Sequence, residues 1–249
     1  MQQPVVTYGL IAAFVGIFLL EIGLIRTPSQ DVLCTNCVNG LLAFGALPNG
    51  ELGGSVWWRL VSSAFVHDNS SPFHVGFNAL AMLWIGRLVE QLYGRLVLLG
   101  TFLITAVVGG LLWIGISQTG LISLNGLAIG ASGGIMGLVG LLLMLGRVQG
   151  RNVPVGIAFG IRRYAVTVIL LTLAFGFLFP NVNNVAHVGG LAGGVLVGAI
   201  IPPMRRIGGR ELSVPEKVVL AAAIGAAAVA LLFAVAHMVD LLNSGARLV

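Results

Sequence analysis

The strongest constraint on this chain is how little charge it carries. Seven stretches, residues 5–25, 73–92, 96–116, 132–145, 161–179, 185–201 and 218–242, are apolar and hold few Asp, Glu, Lys or Arg. Over 249 residues the chain is 57% hydrophobic and only 8% charged. A water-soluble fold of this size carries far more charge, so the fold class expected is an all-α polytopic membrane protein. The fourth and sixth stretches are short for a full span of about 20 residues. No long polar linker separates the stretches, which predicts one domain over residues 1–249. Met1–Pro4 carries no basic residue and no small-residue cleavage site follows, so the first stretch is expected to be a retained helix.

The placement of positive charge predicts an orientation. Arg87, Arg95, Arg147, Arg151, Arg162, Arg163, Arg205, Arg206, Arg210 and Lys217 flank alternate ends of the stretches and fall on one side. The other side holds Arg26, Arg59 and Arg247, so ten of 13 basic residues share a face. The positive-inside rule puts that face and the N-terminus in the cytoplasm. The basic balance then reflects topology, and no nucleic-acid partner is expected. Twelve of the 13 basic residues are arginine, a usage that points to a bacterial plasma membrane.

One motif sits at the centre of this arrangement. Gly130-Ala131-Ser132-Gly133-Gly134 heads the fourth stretch, which runs to Arg147. Sixteen helical residues from Ser132 to Arg147 cover about 24 Å, against a hydrocarbon core about 30 Å thick. With Arg147 at one face, Ser132 lies below the other. The preceding chain, broken by Asn125, Gly126 and Gly130, must reach that depth as irregular backbone, which is tolerated only inside protein or beside a water-filled cavity. The plainer reading of the motif is a run of small residues that lets helices pack.

Two histidines occupy matching positions. His74 opens the second stretch, with Asn78 one turn on and on the same face, and His187 lies near the start of the sixth. Stretches two, four and six all run inward from the outer face, so each presents a polar group at its outer, N-terminal end. Polar groups inside a membrane are functional candidates. A serine becomes a nucleophile when a base removes its proton, and histidine is the usual base. No acidic residue lies near His187 in sequence, which favours a Ser–His dyad over a triad. His74, Asn78 and the Ser132 amide could supply donors for an oxyanion, and a helix N-terminus favours negative charge.

At these residues the chain resembles the rhomboid family of intramembrane serine proteases. The matching pieces are Trp58–Arg59, His74-x-x-x-Asn78, Gly130-x-Ser132-Gly133, and Ala186–His187-x-x-Gly190-x-x-x-Gly194, in the family's order. The resemblance implies a six-helix core over residues 1–203 and a seventh, C-terminal transmembrane helix over residues 214–243. It implies Ser132 as nucleophile, His187 as general base, and His74, Asn78 and the Ser132 amide as oxyanion stabilisers. Gly130, Gly133, Met136, Gly190, Gly194, Trp58 and Arg59 would support the site structurally. It implies no metal and no cofactor, with transmembrane protein substrates and the lipid bilayer as partners, and a site opening to the outer face. Some members carry an aromatic residue four positions after the serine, stacked on the histidine. Here that position is Met136, whose thioether can also pack on an imidazole. Two other functions stay open: a non-proteolytic relative that binds membrane clients, and a transporter built on a broken helix.

Six further expectations follow from the residues. Gly190, Gly194 and Gly198 recur every fourth residue, and Gly133, Gly137 and Gly140 do nearly the same, so stretches four and six should touch. Residues 56–66, with Trp57 and Trp58, should lie at headgroup level. His67 should brace the turn before stretch two, while His237 and Asp240 could pair within the bundle. Cys34 and Cys37 lack the second pair that a structural zinc site needs. Phe175, Phe177 and Phe179 end stretch five without an obvious polar tie to the core, which marks that end, with residues 181–184, as a lateral gate.

Overall fold

The computed structural model describes residues 3–25, 38–49, 57–119, 126–147, 153–179, 182–204 and 209–243. Cys34 and Cys37 lie outside these residues. The helices in chain order are α1 (Val5–Leu24), α2 (Val38–Phe44), α3 (Arg59–Ser62), α4 (Pro72–Ala81), α5 (Arg87–Tyr93), α6 (Arg95–Thr119), α7 (Ser132–Leu143), α8 (Val155–Leu178), α9 (Asn184–Ile200) and α10 (Val214–Asn243). A π-helical turn, Met82–Gly86, joins α4 to α5, so residues 72–93 form one continuous helical rod. Two short strands, β1 (Leu47–Pro48) and β2 (Leu127–Ala128), pair antiparallel.

The molecule is thus an all-α polytopic membrane protein, and each expected apolar stretch contains a helix. By length and composition α1, α6, α8 and α10 can each cross a membrane, while α7 and α9 are shorter. One boundary differs. α8 begins at Val155, so Arg162 and Arg163 stand inside the helix rather than in the connection before it. Arg162 Nη1 donates to the Leu145 carbonyl at 3.3 Å, which caps the end of the α7 segment and keeps the guanidinium partnered.

The centre of the bundle is α7. Its residues from Gly133 to Leu142 are all buried, and it packs between α6 and α9. Glycine makes this possible without a polar interface. A Cβ placed on Gly190 would overlap the Gly133 carbonyl oxygen, and one on Gly194 the Gly137 carbonyl oxygen. In return, a Cβ on Gly140 would overlap the Leu191 carbonyl oxygen. On the α6 side, Gly134 accommodates the Phe102 ring and Gly137 the Thr105 side chain. Apolar helices in lipid gain little from burying hydrocarbon, so close van der Waals contact between backbones has to hold them.

The outer helices are tied by polar contacts at their ends. Glu90 on α5 accepts hydrogen bonds from the amides of Val6 (3.2 Å) and Thr7 (2.9 Å) and from Thr7 Oγ1 (2.7 Å), satisfying donors that the first turn of α1 leaves free. Arg95 pairs with the same carboxylate at 3.4 Å. α8 buries only Ala158 and Ala165, yet its outer end is not without a polar tie, contrary to the sequence expectation. Asn184 Nδ2 donates to the Leu173 carbonyl at 3.1 Å, and Gly176 leaves space for that asparagine. α10 lies against α6, with Leu220 filling the notch at Gly100. Near its outer end Phe233 meets Trp57 and His237 meets Trp58, each with ring centroids 5.5 Å apart. His237 therefore stacks on an indole, and among the described residues the ion pairs are Arg95–Glu90 and Arg210–Glu216, neither involving Asp240.

The backbone contacts predict that no side chain fits at the α7–α9 crossing. Gly194→Ala should lower stability by about 1–3 kcal/mol or more, because the overlapping atom is backbone and cannot rotate away. Thermal denaturation in detergent measures this, and an unchanged midpoint would mean the helices separate freely at Gly194.

Candidate active site

Ser132 begins α7 after a turn that only glycine can make there. Gly130 has φ +102°, a conformation that costs L-residues dearly. A Cβ at this position would also stand 2.6 Å from His74 Nε2 and 3.7 Å from Asn78 Nδ2. The Gly130 amide donates to the Ser63 carbonyl at 2.9 Å, which pins the approach to Ser132 to the end of α3. The described part of the descending chain, from Gly126, is irregular apart from β2, as the depth argument requires. A small cleft opens above the serine, lined by Ser63, Ala128, Gly130, Gly133 and Ala186 among others.

The structure brings Ser132 and His187 together. Ser132 Oγ lies 2.8 Å from His187 Nε2. His187 is in the first turn of α9, whose start is capped by Asn183 Oδ1 accepting from the Ala186 amide at 2.9 Å. With the hydroxyl donating to Nε2, the ring hydrogen sits on Nδ1. That nitrogen is buried and has no hydrogen-bond partner among the described residues, so no carboxylate among them orients the ring from behind. Gly133 lies one residue beyond the serine at the α9 contact, and Met136, one turn further on, is 2% exposed.

His74 and Asn78 stand across Gly130 from this pair. α4 starts cleanly, with Ser71 Oγ accepting from the Phe73 amide at 3.3 Å and Pro72 in the first turn. The Asp68 amide donates to His74 Nδ1 at 3.2 Å. An imidazole that accepts at Nδ1 carries its hydrogen on Nε2, and Nε2 is the atom beside Gly130. Asn78 Nδ2 gives one hydrogen to the His74 carbonyl at 2.9 Å and keeps a second. Two side-chain donors therefore sit beside the turn that leads to Ser132.

Trp58 and Arg59 hold the chain around α2 and β1. Arg59 Nη1 donates to the Leu42 carbonyl and, at 2.9 Å, to the Ala46 carbonyl. Its guanidinium lies 4.6 Å above the Trp58 ring. Burial lowers the Arg59 pKa. Ser62 Oγ donates to the Gly45 carbonyl at 2.9 Å. Trp58 is 3% exposed, so of the two tryptophans expected at headgroup level only Trp57 is exposed. The indole of Trp58 is needed inside, between Arg59 and His237.

Two residues near the site have a larger place than the sequence reading gave them. Glu21 on α1 is fully buried, and one of its oxygens accepts from the His67 amide at 3.4 Å. The His67 ring is also fully buried, donates from Nδ1 to the Phe65 carbonyl at 3.0 Å, and meets the His74 ring edge-on at 5.2 Å. His67 does brace the turn, and it also backs His74. The signal for Glu21 was present: it is the one acid in an otherwise apolar first helix, and such a residue is a functional candidate.

The comparisons with known proteins agree on one family. A family model described as the Rhomboid domain matches residues 54–204, which include every residue placed above around Ser132 except Glu21, Leu42, Gly45, Ala46, Phe233 and His237. The chain belongs to the rhomboid family. It is 31% identical over 230 residues to Rhomboid protease GluP of Bacillus subtilis (strain 168), covering 88% of this chain and 39% of that protein. It is 31% identical over 180 residues to Rhomboid protease AarA of Providencia stuartii, covering 66% of this chain and 61% of that one. RHOMBOID-like protein 1 of Arabidopsis thaliana is 32% identical over 143 residues, covering 57% and 34%. The match thus spans from about a third to three fifths of the length of these relatives.

The turn between α3 and α4 is expected to make this rhomboid acid-sensitive. Burial first, and the neighbouring His74 second, push the His67 pKa down to about 3, whereas an unfolded histidine titrates at about 6.5. Between those values the unfolded chain binds a proton that the fold does not. Stability is therefore complete above about pH 6.5 and is lost progressively toward pH 3, by at most about 5 kcal/mol from this group. Replacing His67 by glutamine should flatten that acid limb, as followed by the thermal midpoint against pH. An equally steep limb in the variant would assign the acid loss to other groups.

Proposed function

We propose that this rhomboid is an intramembrane serine endopeptidase that cleaves transmembrane segments of membrane proteins with Ser132 and His187. The observation that carries the reading is the 2.8 Å contact between Ser132 Oγ and His187 Nε2, at the N-terminal ends of two short helices packed backbone to backbone. His187 Nε2 takes the hydroxyl proton as Ser132 Oγ attacks the scissile carbonyl. The carbonyl oxygen becomes negative in the tetrahedral intermediate. His74 Nε2–H, the free hydrogen of Asn78 and the Ser132 amide are donors for it, and the α7 dipole favours negative charge at the same place. The intermediate collapses as His187 passes its proton to the departing amine, leaving an acyl-serine. A water then attacks this ester, giving its proton to His187, which returns it to Ser132 Oγ as the acid leaves. His187 carries the added proton with Nδ1 unpartnered among the described residues, so the chemistry is that of a dyad.

The charge distribution supports an N-terminus in the cytoplasm and a site reached from the outer face of a bacterial plasma membrane. Residues 1–203 would form the catalytic core, with α10 an addition to it. Substrates would enter between α4 and α8. Phe73, Phe77 and Phe175 are exposed there, Phe77 meets Phe175 at 6.5 Å, and Phe175 meets Phe179 at 4.1 Å. Ring contacts open at little cost, and the Asn184 bond to Leu173 gives α8 a pivot about one to two turns from its end. Asn181, part of the expected gate loop, lies outside the described residues.

Reconstitution in liposomes with a model transmembrane substrate tests the activity. Ser132→Ala and His187→Ala should each abolish cleavage with the fold retained, and the double variant should be no worse than either single one, as expected of residues acting as a unit. Labelling of wild type at Ser132 by a fluorophosphonate separates a protease from a client-binding relative or a transporter. Substantial cleavage by either single variant would overturn the assignment.

Entry is tested separately. Phe175→Ala with Phe179→Ala should speed cleavage of the transmembrane substrate severalfold while leaving fluorophosphonate labelling nearly unchanged. Equal acceleration of both, or of neither, would place the entrance elsewhere.

A further inference from the structure

Glu21 belongs to a helix that takes no part in the chemistry above, yet in the last turn of α1 its carboxyl group is fully buried against the turn that carries His67. Burying a carboxyl group without full pairing is costly. Among the described residues only one oxygen is partnered, by the His67 amide at 3.4 Å, and the other is buried without a hydrogen-bond partner there. The His67 ring that this amide belongs to sits among aromatics: Phe14, at the middle of α1, lies 5.6 Å from the His67 ring and 5.8 Å from Phe65. An apolar residue would suit this place better for stability. The carboxyl group is explained by what it holds.

It holds the peptide immediately before the amide that sets the state of His74. The His67 amide binds Glu21, and the next amide, that of Asp68, donates to His74 Nδ1 at 3.2 Å. The Asp68 side chain fixes the other side of the same turn, with Oδ1 accepting from the Ser70 amide at 2.9 Å. The two successive amides point to opposite partners, one into α1 and one at the imidazole. Without the Asp68 hydrogen bond, neutral His74 has no reason to prefer hydrogen on Nε2, and only that tautomer presents a donor beside Gly130.

We infer that Glu21 is a positioning residue which, by anchoring the turn at His67, keeps the Asp68 amide on His74 Nδ1 and so keeps His74 a donor at Nε2. The inference rests on the proposed oxyanion role of His74 and adds a remote residue that maintains it. Glutamine retains an acceptor oxygen of the same size, while leucine removes it and suits the aromatic pocket. The two substitutions should therefore part company. Glu21→Leu should lower kcat about tenfold, short of the about 10²–10³ lost with a whole oxyanion donor, with KM within about twofold because the charge develops only in the transition state. Its thermal midpoint should be equal to or above that of wild type. Glu21→Gln should recover most of kcat. A merely structural role predicts the opposite pairing, with kcat and midpoint falling together.

Nitrogen-15 spectra of histidine-labelled protein give a readout independent of cleavage, with the His74 signals assigned by their loss in His74→Ala. Wild type and Glu21→Gln should show His74 with hydrogen on Nε2 alone, and Glu21→Leu a mixture of the two tautomers. A single Nε2–H tautomer in Glu21→Leu, an unchanged kcat in that variant, or a glutamine variant no better than leucine would each overturn the inference. Wild type that neither cleaves nor labels would overturn the protease reading instead, and the spectra would still decide the role of Glu21.

Discussion

The rest of the structure depends on the backbone contact between α7 and α9. Gly190 and Gly194 carry no side chain where the Gly133 and Gly137 carbonyls pass, and the two helices cross as near to each other as peptide groups allow. Ser132 and His187 stand in the first turns of these helices, so their 2.8 Å separation is a direct consequence of the crossing. A side chain is flexible, but a helix terminus held by backbone contact is not. Placing both side chains at such termini orients them through the backbone, and the imidazole Nδ1 has no partner among the described residues.

The donor side of the site is built by a different method. There the elements are a turn, a short helix and a loop, and hydrogen bonds replace helix packing. Arg59 gathers the Leu42 and Ala46 carbonyls, Ser62 holds Gly45, and Ser63 holds Gly130. On the other flank Glu21 and Asp68 hold the turn before α4. In a protein interior such irregular backbone is tolerated because its polar groups are partnered. α10 joins this framework through His237 and Phe233 on the two tryptophans, which ties a helix that starts at the opposite face to the loop around the site.

Much of this was legible in the residues, for reasons that differ from place to place. The spans were legible because few charges interrupt them, and the α7–α9 contact because glycine every fourth residue has few other uses in lipid. Ser132, His74 and His187 were legible as a set because each lies near the start of a helix, with Asn78 one turn beyond His74 on the same face. Trp58 was not, since an indole beside an arginine reads equally as a membrane-surface anchor or as a buried stack. Nor were the partners of His237 and Asn184, which pair with residues far away in sequence: periodicity along one helix says nothing about which remote carbonyl or ring meets it. The start of α8 was misplaced because two adjacent arginines read as an end, whereas long side chains can carry their charge to the interface from within a helix.

Rigidity and access pull in opposite directions in the protease proposed above, and this fold separates them by composition. The helices that carry Ser132 and His187 meet through glycine backbones, where no rotamer change can relieve a displacement. α8 meets its neighbours through large side chains and buries only two alanines. Its phenylalanines can rotate, and exchanging them for lipid or for another apolar segment leaves their burial nearly unchanged, since lipid tails are as apolar as the partner. Motion of α8 is therefore inexpensive in a bilayer in a way it would not be in water, where each opening would expose the same rings to solvent at about 25 cal/mol per Å². The hydrogen bond from Asn184 to Leu173 fits that division: it fixes α8 on the side of α9, while among the described residues the edge toward α4 meets it through the Phe77–Phe175 ring contact. The same bilayer that demands close packing of α7 against α9 thus makes the neighbouring contact between α4 and α8 easy to part.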